Sequence, residues 1–419
     1  MRLIMLRIKE KSMNRLKYVV VVIFIFVILI CVYSFNNTKI RTNNSDQTVI
    51  IPDYEVLKIE KDLERLDPYI TLVKKDDMSG YSKGQGVPSL SKQGVKEIYD
   101  YLKEQNVTVN DEQGYFDLQN SEIFKEFIEL YKQGKDSRFT HYIILLTGEL
   151  IRKDFINEDN HTYVITSSLL FKNNQFTIED IYGKEIKNLT YDEYGYFYYE
   201  CVLVKDGVMR GEQQYFSMKI DPIKDELRTY NRLYIQPISY YCNNMFTTSW
   251  KENEISKLSF NDIIEYLYVL DTDKPFPSND FEQCNVSYVR RVESVYFENL
   301  VQKYFDLSVK EIKNNNFYDK ETDSYPYVEL CCRASHWKLP EIFSEVIDVK
   351  DSKNLIILTI RVMGYEEGYP LAFEHKVTIE KKKNSFKYIS NEIIESSYNK
   401  IPEYTSGITE EILSDYKDK

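Results

Sequence analysis

Four histidines, six cysteines and a large surplus of carboxylates are the side chains from which this chain could assemble a reactive centre. Cys331, Cys332 and His336 are the one cluster with metal-ligand chemistry. The C-C-x3-H spacing lacks the second ligand pair of a structural zinc site. In an alternating strand, two adjacent thiols point to opposite faces, so this pair reads as small hydrophobes in a sheet. The other histidines, His141, His161 and His375, form no H-x-H or H-E-x-x-H pattern. His375 shares a strand face with Phe373, Val377 and Ile379, as a hydrogen-bonded core histidine would. Ser89-Leu-Ser-Lys92 matches S-x-x-K, in which a lysine one turn below a serine could serve as base. The supporting S-D-N and K-T-G elements are missing, which leaves Ser89 or Ser91 as a helix cap. Asp271-Thr-Asp273 could open a calcium loop, but Lys274-Pro275 follows where oxygen ligands belong. Glu179-Asp180, Asp192-Glu193 and Glu366-Glu367 read as solvated loop acids. No catalytic, cofactor-binding or metal-binding residue is therefore assigned, and no cofactor is expected.

One surface feature remains. Residues 191–199 read Tyr-Asp-Glu-Tyr-Gly-Tyr-Phe-Tyr-Tyr. In the strand expected at Tyr196–Val204, Phe197, Tyr199, Cys201 and Leu203 share the core face. Tyr194, Tyr196 and Tyr198 then lie opposite, as exposed rings that could stack on sugars or grip a peptide.

The elements that would hold these residues follow from periodicity. Helices are expected around Val56–Leu66, closed by Pro68, around Val95–Leu102, and around Ile123–Tyr131, stopped by Gly134. After Gly134 the pattern alternates. Strands are expected at Phe139–Thr147, Thr162–Phe171, Gln175–Ile181, Tyr196–Val204 and Met209–Ile220, with Asp206-Gly207 as a hairpin turn. The second half repeats the plan. Helical signals at Phe260–Leu270, Val292–Tyr304 and Val309–Asn314 precede strands at Tyr325–Arg333, Phe343–Val349, Leu355–Val362, Phe373–Glu380 and Phe386–Ser390. Helices followed by antiparallel strands make the fold class α+β. The order resembles cone-shaped folds of the nuclear transport factor 2 type for the first domain. The expected organisation is 53–250 and 251–395 as two α+β domains, with the boundary between Trp250 and Pro277, and 396–419 as a C-terminal tail.

Ahead of them, Tyr18 to Phe35 reads YVVVVIFIFVILICVYSF with no charge between Lys17 and Lys39. Eighteen residues of helix span about 27 Å, close to the hydrocarbon thickness of a bilayer. The bulky residues before Cys31 and the absence of an A-x-A pattern argue for an uncleaved signal anchor rather than a signal peptide. Residues 1–17 carry six basic residues against Glu10, while the whole chain has a net charge of −12. The positive-inside rule puts 1–17 in the cytoplasm, 18–35 in the membrane, 36–52 as a stalk and the acidic bulk outside. An acidic exterior disfavours nucleic acid as a partner.

Several passages carry a family likeness. They are Phe139-Thr-His-Tyr-Ile-Ile-Leu-Leu-Thr-Gly-Glu-Leu, Pro237-Ile-Ser-Tyr-Tyr-Cys-Asn-Asn-Met-Phe with Thr248-Ser-Trp250, Tyr304-Phe-Asp-Leu, Tyr318-Asp-Lys-Glu-Thr-Asp-Ser-Tyr-Pro-Tyr, and Glu374-His-Lys-Val-Thr-Ile with Tyr388-Ile-Ser-Asn391. Over residues 90–395 the chain resembles an uncharacterised family of membrane-anchored or exported proteins from clostridial-type Gram-positive bacteria. The resemblance implies location and extent, with no catalytic residues to carry over. The expected function is a non-enzymatic binding module at the cell envelope, taking a wall ligand or an envelope protein. Two alternatives stand: an envelope hydrolase or transferase with a scattered site including His141 and Glu200, and a sensor or assembly subunit acting through Tyr18–Phe35.

Overall fold

The computed structural model describes residues 49–417, apart from 77, 82–87, 113, 173–174, 206–207, 284–288, 330–341, 365–372 and 398. The expected anchor Tyr18–Phe35, the basic segment before it, Cys284, Cys331, Cys332, His336, Glu366-Glu367 and the expected Asp206-Gly207 turn lie outside the described residues. Among the described residues no helix is long and apolar enough to cross a membrane.

Helices come first: α1 (Asp53–Leu63), α2 (Asp67–Lys75), α3 (Lys92–Glu104) and α4 (Ser121–Lys132). Pro68 does not close a helix as expected; it sits in the first turn of α2. There its missing N–H costs nothing and its fixed φ suits the helix. The cap of α3 is Ser91, whose hydroxyl accepts from the Gly94 N–H at 2.9 Å. Gly134 ends α4 in the left-handed region at φ 66°, with its N–H on the Tyr131 carbonyl.

Seven strands form one sheet in chain order, the first between α3 and α4 and the rest after α4: β1 (Thr108–Asp111), β2 (Ser137–Ile144), β3 (Leu150–Glu158), β4 (His161–Lys172), β5 (Gln175–Tyr191), β6 (Tyr196–Lys205) and β7 (Val208–Lys219). β1 runs parallel to β2, and every other neighbour is antiparallel. β3 has no counterpart among the expected strands because charge breaks its alternation. Arg152 and Asp154 occupy positions where apolar residues would mark a core face. The two side chains compensate one another, Arg152 Nε donating to Asp154 at 2.7 Å and its NH1 to Asp62 of α1 at 2.9 Å.

The sheet curls. Lys153 on β3 donates to the Tyr199 hydroxyl on β6 at 3.0 Å, and the Phe155 and Phe197 rings lie 5.5 Å apart. Three strand spacings in a flat sheet would separate these strands by about 14 Å. α4 fills the inner face at one end, where Phe124 and Phe127 pack on Phe139, Phe155 and Phe197. α1, α2 and α3 pack instead on the outer face, against Tyr142, Ile144, Leu150, Ile156 and Leu169. A cone of the nuclear transport factor 2 type was the expectation; the curl is present, but only α4 occupies its inside.

The second half is built differently from the first. α5 (Asp225–Tyr230) leads to β8 (Trp250–Lys251), α6 (Phe260–Thr272), β9 (Val289–Glu293), α7 (Ser294–Tyr304), α8 (Val309–Asn315), β10 (Ser324–Val328), β11 (Ile342–Asp351), β12 (Leu355–Gly364), β13 (Phe373–Lys381), β14 (Phe386–Ile394) and α9 (Glu410–Lys417). β9 and β10 form a small sheet with Glu282–Gln283, and the other strands form a second sheet in the order β8-β14-β13-β12-β11. Between them lies a large core that includes Trp250, Phe260, Phe305 and Tyr388. His375 is buried there as expected. Its Nδ1 pairs with Asn391 Oδ1 at 2.6 Å and its Nε2 with the Tyr240 hydroxyl at 2.7 Å. Asn391 Nδ2 donates to the Phe246 and Thr248 carbonyls, which fixes its Oδ1 as acceptor and His375 as the Nδ1–H tautomer.

Candidate functional site

Strand alternation sends the odd residues of β2 and β3 to the inside of the curled sheet. Register then aligns a polar row across five strands: Thr108, His141, Lys153, Thr166 and Tyr182. A second row, one step along, runs Asn110, Ile143, Ile151, Ser168 and Asp180. Lys184 follows Tyr182 on the same face of β5, beside Val164. The aromatic cluster around α4 continues into these rows, so the inner face is apolar at one end and polar at the other.

His141 is 1% exposed. Thr108 Oγ1 donates to the Thr140 carbonyl at 3.0 Å, which leaves that oxygen to accept from His141 Nδ1–H at 3.1 Å. Burial, and then the Lys153 ammonium, lower the imidazole's pKa to about 3. His141 is therefore neutral, and its Nε2 presents a bare lone pair to the interior. Nε2 has no hydrogen-bond partner among the described residues; neither has Asn110 Oδ1 nor Asp180 Oδ1. Buried polar atoms of this kind are rare because each costs about 1–3 kcal/mol when left unmet.

The cations stand close by. Lys153 Nζ lies 5.0 Å from the Phe216 ring centre and Lys184 Nζ lies 6.0 Å from the same ring. Lys184 also stacks over Tyr182 at 5.0 Å. Lys184 is 3% exposed, an unusual place for an ammonium. Cys201 shares this face; burial pushes its thiol up to about 12, against the pull of both lysines, which favours the protonated thiol at neutral pH.

Glu200, the other residue considered for a scattered site, lies on the opposite face of β6 from Tyr199 and Cys201. It is buried, accepts from Asn188 Nδ2 at 2.6 Å, and its Oε1 has no partner among the described residues. His141 and Glu200 thus cannot meet on one substrate atom. The tyrosine surface is also corrected. Tyr196 and Tyr198 are buried and pack with Met363 of β12, and Tyr194 is half-buried beside them. The Arg361 guanidinium stacks 4.0 Å from the Tyr194 ring centre. The Tyr196 hydroxyl donates to Glu345 of β11 at 3.1 Å, and Lys219 pairs with the same carboxylate at 3.0 Å. Those tyrosines face away from the first core, as alternation requires, but the second half covers them.

Lys153, Thr166, Asp180, Tyr182 and Lys184 did not stand out in the sequence. The sequence of β3 shows no alternation, the expected strand from Gln175 ends at Ile181, and Asp180 reads as a loop acid. The signal that could have found them is Asp180-Ile-Tyr-Gly-Lys184, polar at every second position within a strand. Among the described residues no group of three or more His, Cys, Asp or Glu could hold a metal ion. Residues 79–406 match the model of a family described as a family of unknown function, DUF6070. No curated protein and no solved structure matches the chain.

Proposed function

The chain belongs to DUF6070, and from that premise we propose that it is a binding module at the cell envelope, held by a single-pass anchor, whose ligand enters the inner face of the curled seven-stranded sheet. The observation that carries this reading is the set of buried acceptor atoms on the inner face, His141 Nε2, Asn110 Oδ1 and Asp180 Oδ1, that have no hydrogen-bond partner among the described residues. A purely structural core would replace such groups with apolar ones at little cost. Catalysis draws no comparable support, because His141 and Glu200 face opposite ways and Cys201 is held as a thiol. The anchor Tyr18–Phe35, the basic segment before it and the acidic remainder support an extracytoplasmic position, with residues 53–250 and 251–395 as two α+β domains. The clostridial-type Gram-positive origin rests on the sequence likeness alone.

Two experiments test the proposal. Protease added to intact expressing bacteria should remove a C-terminal tag; protection until permeabilisation overturns the topology. The full chain in detergent micelles, titrated with soluble wall fragments and envelope extracts, should show slowed amide exchange in β3–β5 with saturable dependence. Turnover of those fragments, or exchange unchanged by every fraction, refutes the binding module.

A further inference from the structure

Resting on the single-pass anchor of that reading, we infer that the exposed face of α1 lies on the outer surface of the membrane that holds the chain, with anionic lipid as its partner. Ile50, Tyr54 and Leu57 are 89%, 58% and 63% exposed. At about 100° of turn per residue, Leu57, Lys61, Tyr54 and Lys58 fall on one stripe of the helix. Glu55 and Ile59, on the other side, are buried. Glu55 accepts from Arg138 and Asp62 from Arg152, each at 2.9 Å, so these two acids are turned toward the body and away from the stripe. Asp53 and Glu60 stand to one side of it. Tyrosine, leucine and lysine together suit the lipid interface: apolar bodies sink to the acyl boundary and ammoniums reach the phosphates.

The entry of the chain fixes where this face stands. The Val49 N–H donates to the Gly183 carbonyl of β5 at 3.3 Å, and Ile51 packs with Ile59, Ile156, Ile165 and Ile181, so Ile50 between them is turned outward. Residues 36–48 alone separate Phe35 from Val49. A polar linker of that length has a root-mean-square span of about 20 Å, which holds the face over the bilayer at roughly millimolar effective concentration. A soluble partner must find α1 by diffusion, whereas the bilayer is always within reach. The acidic remainder of the chain is repelled by anionic headgroups, which confines the contact to the stripe. Docked in this way, α1 lies between the bilayer and the seven-stranded sheet, and the inner face opens away from the membrane.

The test uses the full chain reconstituted in vesicles of phosphatidylglycerol and phosphatidylcholine, with Tyr54→Trp as reporter and brominated acyl chains as quencher. The signal of Trp250 and Trp337 is subtracted with the wild type in the same vesicles. The added fluorescence should fall about twofold or more, while that of Phe317→Trp, exposed in the second half, should not. Leu57→Glu, or Lys58→Gln with Lys61→Gln, introduced beside the reporter should restore most of the lost emission with an unchanged circular dichroism spectrum. An unquenched reporter, equal quenching of Phe317→Trp, equal quenching without phosphatidylglycerol, or Leu57→Glu without effect overturns the inference. A reporter shielded only as chain density in the vesicle rises shows a second copy on the stripe and overturns it too. Flotation separates this inference from the reading beneath it. A chain that floats with the vesicles while the reporter stays unquenched keeps the anchor and loses the docking; a chain that does not float loses both.

Discussion

Lowering the pH from 7 to 5 should remove several kcal/mol of stability, and two buried histidines set the amount. In the folded chain burial lowers His141 to about 3 and His375 to about 4. In the unfolded chain both return to about 6.5. Between about pH 4 and 6.5 the unfolded state therefore binds more protons, so stability is complete above 6.5 and falls as the pH falls. At pH 5 each histidine contributes a loss of about 2 kcal/mol, or about 4 kcal/mol together, at about 1.4 kcal/mol per pH unit. That is a large part of the stability of an ordinary folded protein. Asp111 and Asp192, raised by burial, act in the opposite direction, so the wild-type curve alone does not isolate the imidazoles. The assay is urea unfolding of the full chain in micelles at pH 5, 6 and 7, followed by tryptophan fluorescence, to which the buried Trp250 contributes. His141→Gln and His375→Gln should each remove about 2 kcal/mol of the loss between pH 7 and pH 5, whatever their effect at pH 7. A double variant that keeps the wild-type difference would refute the neutral assignment of both rings.

Two further outcomes follow from single contacts. Asp262 is fully buried at the start of α6 and accepts from the Tyr404 hydroxyl, from Ser406 Oγ at 3.2 Å and from the Gly407 N–H at 3.1 Å. Asp262→Ala should cost about 2–4 kcal/mol and open residues 396–409 to limited proteolysis, read as a new cleavage product; a tail as resistant as in the wild type contradicts its anchoring by Asp262. The Lys219–Glu345 pair joins β7 to β11 across the two halves. A double-mutant cycle with Lys219→Met and Glu345→Gln should give a coupling of about 1–3 kcal/mol in urea unfolding, and additive effects would show that the pair holds nothing together.

What the sequence determined on its own is what local periodicity and local chemistry can decide. The α+β class follows from the change of period after Gly134, because a helix and a strand bury their apolar faces at different spacings. The end of α4 at Gly134 was legible because a left-handed residue is needed there and glycine supplies it without strain. The core role of His375 was legible because Phe373, Val377 and Ile379 share its strand face. What only tertiary structure decided is which polar residues meet and which surfaces stay open. Charge on β3 hid that strand, since Arg152 and Asp154 are compensated by each other and by Asp62, which lies some ninety positions earlier in the chain. Tyr194, Tyr196 and Tyr198 could be placed on one face from alternation, yet their burial depends on β11 and β12, far along the sequence. The candidate site exists only because the sheet curls and five strands align in register. Pairing across strands is set by hydrogen bonding between distant segments, and no local pattern records it.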